Sequence, residues 1–277
     1  MYGEGDGRMF KDKVLKFIHP AIIKILSAGR RFDLIVEGKI PAHQQCIFVA
    51  NHFCIHDIPT AGEIIGVHTY VLVSDEDKYT FSGLALSMNG VIWVNRFSKV
   101  SRARARERII AHLKAGHNIL IYPEATWNLT SNLPMLPMNW GVIGISKETD
   151  VPIVPIYLLF SDKVCRAKVG EFYYPVHDDI EEINELRDKM ATMCFDLMSE
   201  QPTYSREEIS SDYATISIKK RYNEYSRAKR DPEGVMKYES QFIFKPKDVI
   251  TCDEAFAHLN SIKPNFYNSF LFNKRLI

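Results

Sequence analysis

The stretch IFVANHFCIHDIPTAGEII, Ile47 to Ile65, decides the fold. Ile47-Phe48-Val49-Ala50 is a short, unbroken apolar run, the mark of a strand buried on both faces of a sheet. Asn51 and His52 then emerge at the carboxyl end of that strand, and a helix follows from about Ile58 to Ile65. A strand feeding a helix through a polar turn is the repeating unit of an α/β sheet, and such sheets hold ligands beyond the carboxyl ends of their strands.

Outward from this unit the same alternation continues. FDLIVEG precedes it as a strand, and HTYVLVS, GVIWVN, NILIYPE and PIVPIYLLF follow as further strands. Helices fall between them around Tyr79 to Ser87 and over SRARARERIIAHLKAG, where Gly116 supplies a C-terminal stop. EFYYPV reads as a last strand, before a helix beginning near Asp178 and ending before Pro202. The expected fold is α/β: a central mixed sheet flanked by helices, spanning residues 33–202. A C-terminal appendix of polar and then aromatic composition fills residues 203–277.

Residues 1–32 form a different kind of segment. Met9, Phe10, Val14, Leu15, Phe17, Ile18, Ile22, Ile25 and Leu26 fall close to helical spacing, with Lys11, Lys13, Lys16, Lys24, Arg30 and Arg31 between them and a kink expected at Pro20. Such a helix packs on a domain, lies in an anionic membrane interface, or does both. No apolar run approaches the roughly 20 residues that cross a bilayer. The N-terminus also lacks the apolar stretch and cleavage site of a secretory signal.

Charge balance narrows the partners. Lysine plus arginine number 35 and aspartate plus glutamate 34, so no global field draws in nucleic acid. The alternating Arg102, Arg104, Arg106 and Arg108 spread over several faces of one helix, without the aromatic interleaving of a nucleic-acid module. Some of them could meet the phosphates of a coenzyme or an acidic carrier. The 5 cysteines are scattered without CxxC spacing, which suggests a reducing compartment and no disulfide framework.

The chemistry gathers at the opening stretch. His52 and Asp57 can meet if the chain curls there, and a carboxylate that orients a histidine ring makes a general base. His56 adjoins Asp57, but adjacent residues on a helix diverge by about a hundred degrees. His52 and His56 also stand four apart, a spacing that clamps zinc, yet HFCIH lacks the glutamate and the third ligand such a site needs. No metal is expected.

Four blocks, taken in order, carry a resemblance. NHFCIHD has the Asn-His-(four residues)-Asp pattern of the lysophosphatidate and glycerophosphate acyltransferases. GVIWVNR, ending in Arg96, resembles that family's second block, IYPEATWN its third, and VPIVPIY its fourth. The resemblance spans roughly residues 35 to 160. It implies transfer of an acyl group from an acyl-CoA or acyl-carrier-protein thioester to a hydroxyl of a lyso-lipid, without a resident cofactor. It makes His52 the base and Asp57 its orienting partner. Asn51, Arg96, Glu124, Ala125, Thr126 and Trp127 become substrate-binding candidates. Amides of the strand-to-helix turn become candidate oxyanion donors, Asn51 also a candidate brace of that turn, and Cys54 a packing residue. The implied partners are a membrane surface, a lipid acceptor and the acyl donor. The implied place is the cytoplasm, peripherally at the inner face of a membrane.

The third block departs from the family pattern. Its usual glycine is Ala125 and its usual arginine is Trp127. Where a lysine often precedes a glycine shortly after, this chain has Asn139 and Trp140 before Gly141. Tryptophan cannot imitate the bidentate fork with which arginine holds phosphate. Either the acceptor carries less charge than lysophosphatidate, or arginines of RFSKVSRARARER replace the missing cations. The alternative function is a non-catalytic protein on the same fold that binds lipid or acyl chains.

Overall fold

The computed structural model describes residues 4–199 apart from 29, 31, 42–43, 129–133 and 162, so the appendix lies outside the described residues. Helix α1 (Glu4–Leu26) leads into strand β1 (Asp33–Glu37). The opening stretch forms β2 (Ile47–Ala50) and α2 (Asp57–Ile65). Then come β3 (Thr69–Ser74), α3 (Phe81–Met88), β4 (Val91–Val94), α4 (Lys99–Lys114) and β5 (Asn118–Ile121). The remainder is α5 (Gly141–Thr149), β6 (Ile153–Ser161), β7 (Val164–Val169) and α6 (Asp179–Ser199).

The 7 strands make one sheet in the order β1-β7-β6-β2-β5-β3-β4. Every neighbouring pair is parallel except β6 and β7. Five strands from β6 to β4 therefore share one direction, and their carboxyl ends open on one edge, as the α/β pattern requires. This is the mixed sheet expected.

Alternation along the strands divides the core between two faces. Ile47, Val49, Ile119 and Ile121 pack under Ile109 and Leu113 of α4, Ile143 of α5 and Leu186, Met190 and Leu197 of α6. Phe48, Ala50, Leu120 and Tyr122 face Ala61 and Ile65 of α2 and Leu86 of α3. Helix α1 packs on α2 and α3. It buries Leu15, His19, Ile22 and Ile23 while Phe17 and Ile25 stay exposed. Gly62 of α2 lets it approach, since a Cβ there would stand 2.5 Å from Ile23. The helix continues through Pro20 rather than ending there. Among the described residues, no helix is long and apolar enough to cross a membrane.

Two elements differ from the sequence reading. EFYYPV is not the last strand: only Tyr173 pairs, through a single antiparallel bridge to Ile153. Pro175 stands two residues on and has no N–H to donate to a ladder. Among the described residues the last strand is β7, VCRAKV, whose Cys165, Ala167 and Val169 alternate inward. The sequence reading also passed over α5, a helix of only 9 residues.

Candidate active site

The polar end of β2 is held before any chemistry begins. Asn51, buried one residue past the strand, donates from Nδ2 to the Leu158 carbonyl at 2.9 Å and accepts from the Leu158 amide at 2.7 Å. Its side chain thus replaces the ladder where β2 stops pairing with β6. The sequence offered Asn51 as a substrate contact and as a brace of the turn, and here its amide group bonds in both directions to the neighbouring strand.

His52 follows, and the structure brings it to Asp57. Nδ1 of His52 lies 2.8 Å from Oδ2 of Asp57, the first residue of α2. The same oxygen accepts the amides of Phe53 at 2.6 Å and Cys54 at 2.8 Å. Three donors and the positive end of α2 stabilise a carboxylate that is wholly buried. A carboxylate accepts only, so Nδ1 carries the proton, and the basic lone pair is at Nε2. The imidazole side chain keeps 21% of its surface exposed, so that lone pair belongs to a ring a substrate can reach. Because the Phe53 and Cys54 amides are bound to Asp57, they do not serve as the oxyanion donors expected of this turn.

The other candidates of this stretch lie elsewhere. His56 precedes α2, and its ring packs edge-on against Phe32 at 5.6 Å. Cys54 is 1% exposed. Burial, and next the charge of Asp57, push its thiol well above the ordinary range and keep it from forming a thiolate.

The turn after β5 supplies the walls. The Tyr122 ring lies against His52 with centroids 4.6 Å apart, and Trp127 meets the imidazole edge-on at 6.1 Å. Glu124, 1% exposed, accepts the His52 amide at 2.7 Å with one oxygen and the Leu136 amide at 2.7 Å with the other. The Asn128 amide donates to the His52 carbonyl at 2.6 Å. Glu124 therefore fixes the backbone that carries the base, across 72 residues of sequence.

Ala125 stands in the left-handed region at φ 56°, a conformation that suits the glycine the family has there. Its carbonyl accepts from Nη1 of Arg96 at 2.9 Å, while Nη2 of Arg96 pairs with Glu76 at 3.1 Å. Arg96, past the end of β4, thereby ties the second block to the third. Thr126 is half-buried between Ala125 and Trp127. Asn139 turns both its backbone amide and its Nδ2 to the Pro123 carbonyl, at 2.9 Å each, so it braces this turn. Sequence reasoning did not foresee Tyr122 or Asn128. Tyr122 was within reach, because it lies inside the third block, IYPEATWN.

Comparisons with known proteins bear on the family and the fold. The family model described as Acyltransferase matches residues 33–159. A 1-acyl-sn-glycerol-3-phosphate acyltransferase of Saccharomyces cerevisiae is 26% identical over 133 residues, covering 47% of this chain and 44% of that protein. A lyso-ornithine lipid O-acyltransferase of Pseudomonas aeruginosa is 26% identical over 135 residues, covering 49% of this chain and 50% of that protein. The chain thus spans half or less of the length of these relatives. The crystal structure of a 1-acyl-sn-glycerophosphate acyltransferase from Thermotoga maritima superposes with a TM-score of 0.57 at 20% identity, covering 70% of this chain and 85% of that one, and so shares the fold. A histidine oriented by a buried carboxylate thus stands at the sheet edge of a region, residues 33–159, that matches the acyltransferase family model and resembles enzymes of the lysophosphatidate acyltransferase type.

Proposed function

We propose that this protein transfers a fatty acyl group from an acyl-CoA or acyl-carrier-protein thioester to a hydroxyl of a lyso-lipid. The observation that carries the reading is the His52–Asp57 pair, with Nδ1 bound at 2.8 Å and Nε2 left as the base. Nε2 takes the proton as the acceptor oxygen attacks the thioester carbonyl. The tetrahedral intermediate collapses with cleavage of the C–S bond, and the proton passes from His52 to the departing sulfur. Asp57 holds the ring and stabilises the imidazolium between these steps. No acyl-enzyme is needed, which accords with a buried, protonated Cys54.

The acceptor we propose carries less charge than lysophosphatidate, with an amino-acid-headed lyso-lipid the first choice. Trp127 and Asn139 stand where the family carries cations, and Asn139 is occupied with Pro123. One relative is named for a lyso-ornithine lipid. The protein would work peripherally at the inner face of a membrane, with α1 in the interface.

Release of free thiol tests the chemistry. His52→Ala should abolish it. Asp57→Asn should lower turnover on the order of 10³–10⁴-fold by loss of tautomer control. His56→Ala should stay within a few-fold of the parent. An active His52→Ala protein would overturn the assignment, and no release with any acceptor would favour the lipid-binding alternative.

A further inference from the structure

The sheet edge that carries the site is bordered by large apolar side chains left exposed among the described residues. Tyr79 is 86% exposed, Phe81 76% and Phe97 70%. They belong to two segments, one after β3 and one after β4, whose strands pair in parallel and end at the same edge. The Arg96–Glu76 ion pair clasps those segments together. Arg96 in turn binds the Ala125 carbonyl, two residues from Trp127, so the aromatic rim belongs to the mouth of the site. From the mouth the apolar surface continues along α3 through Leu84 and Met88, which share a face with Phe81 at helical spacing.

Cations accompany the rings. Lys78 lies over Tyr79 at 5.6 Å and the Arg96 guanidinium over Phe97 at 5.0 Å. Lys99 and Arg102 are exposed at the start of α4. Between Asp75 and Arg108 the sequence has 7 basic residues against 4 acidic, in a chain whose net charge is only +1. Exposed aromatic rings paired with cations are the chemistry of a bilayer interface, where rings sit at headgroup depth and cations meet anionic lipid.

We propose that the rim formed by Tyr79, Phe81 and Phe97, with the outer face of α3, docks on an anionic lipid surface and sets the mouth of the site against it. This rests on the proposed function in that a lyso-lipid must leave the bilayer to reach His52. It differs from docking by α1 alone, because the contact includes the catalytic edge itself.

The test is sedimentation of the full chain with vesicles of mixed phosphatidylglycerol and phosphatidylcholine, beside phosphatidylcholine alone. The variants are the triple Tyr79→Ser, Phe81→Ser, Phe97→Ser and the double Leu84→Ser, Met88→Ser. Val176→Ser, which removes a side chain 73% exposed elsewhere, is the control. Thiol release from a short-chain, water-soluble thioester and acceptor is read in parallel, with thermal melting to check the fold. A loss of anionic-vesicle affinity of about tenfold or more in both rim variants, with melting unchanged in both and soluble-substrate turnover unchanged in the Leu84, Met88 double variant, is the expected result. Undiminished sedimentation of folded rim variants would overturn the proposal, as would an equal loss in the control. If the parent releases no thiol at all, the enzymatic reading fails, while the sedimentation comparison still decides the lipid contact.

Discussion

Ala125 and Tyr122 show how the catalytic turn departs, residue by residue, from the most relaxed arrangement. The left-handed backbone at Ala125 costs an alanine about 1–2 kcal/mol that a glycine does not lose, partly offset by the freer unfolded chain of glycine. Ala125→Gly should therefore raise stability by up to about 1 kcal/mol, a rise in Tm of roughly 2–4 °C. Its expected effect is on melting, with thiol release as the companion measurement. The Tyr122 hydroxyl is buried without a hydrogen-bond partner among the described residues. Burial, and then the charge of Asp57, push its pKa well up, so the group stays protonated. Tyr122→Phe keeps the ring against His52 and removes the orphan, so melting should rise by an equivalent of roughly 1 kcal/mol with turnover retained. A fall in stability would show that the hydroxyl has a partner. At Trp127 the prediction concerns choice of acceptor. Trp127→Arg should shift turnover towards phosphate-headed lyso-lipids over amino-acid-headed ones, since a charge-assisted contact contributes about 1.5–3 kcal/mol. Efficient use of lysophosphatidate by the unaltered protein would sink that reading.

Among the elements, α1 has two faces, one packed into the core and one that we propose for the membrane interface. Its inner face is core: Leu15 and Ile22 are buried, and His19 bonds through Nδ1 to Asn89 at the end of α3, at 2.8 Å. Burial lowers the pKa of His19 below its ordinary 6.5, opposed by the Asn89 hydrogen bond. The unfolded chain therefore takes up a proton more readily than the folded one. Stability from this group is fully present above pH 6.5 and falls as pH drops through 6.5 towards the lower folded value. Denaturant midpoints between pH 7.5 and 5 should decline, and His19→Leu should flatten that decline. The outer face carries Lys13, Lys16 and Lys24, all exposed, so reversing those charges to glutamate should weaken anionic-vesicle binding without changing the melt. Deleting residues up to Arg30 is a harsher experiment, because it also strips the inner face from α2 and α3.

At the scale of the whole molecule, the sheet is closed by residues beyond the matched family region. β1 pairs only with β7, and β7 reaches the rest of the sheet only through β6. α6 adds Leu186, Met190 and Leu197, all fully buried, with Ile183 and Met193 nearly so. At about 1.5–3 kcal/mol each, these side chains contribute as much as a typical domain's entire net stability of roughly 5–15 kcal/mol. A chain ended after Ser161 should therefore fail to fold, as read by loss of cooperative melting. A cooperative melt in that shorter chain would mean that β1, β7 and α6 are accessory.

What the sequence determined by itself was the periodic and the local. Central parallel strands are apolar on both faces, so IFVA and NILI announce themselves, and the α/β fold follows from their alternation with helices. His52 and Asp57 were legible because their partnership is made within one turn, 5 residues apart. β7 was missed although its alternation is plain, because strand and loop compete at the end of a sheet and only pairing with β6 and β1 settles the choice. α5 was too short for its periodicity to stand out. The employment of Asn51, Glu124 and Arg96 was decided only by tertiary structure. Their residue types suit a substrate as well as a backbone amide or carbonyl, and which of these they meet depends on chain segments distant in sequence. Leu158 comes to Asn51 across 107 residues and Ala125 to Arg96 across 29. No local pattern encodes such contacts. They exist because five strands end on one edge.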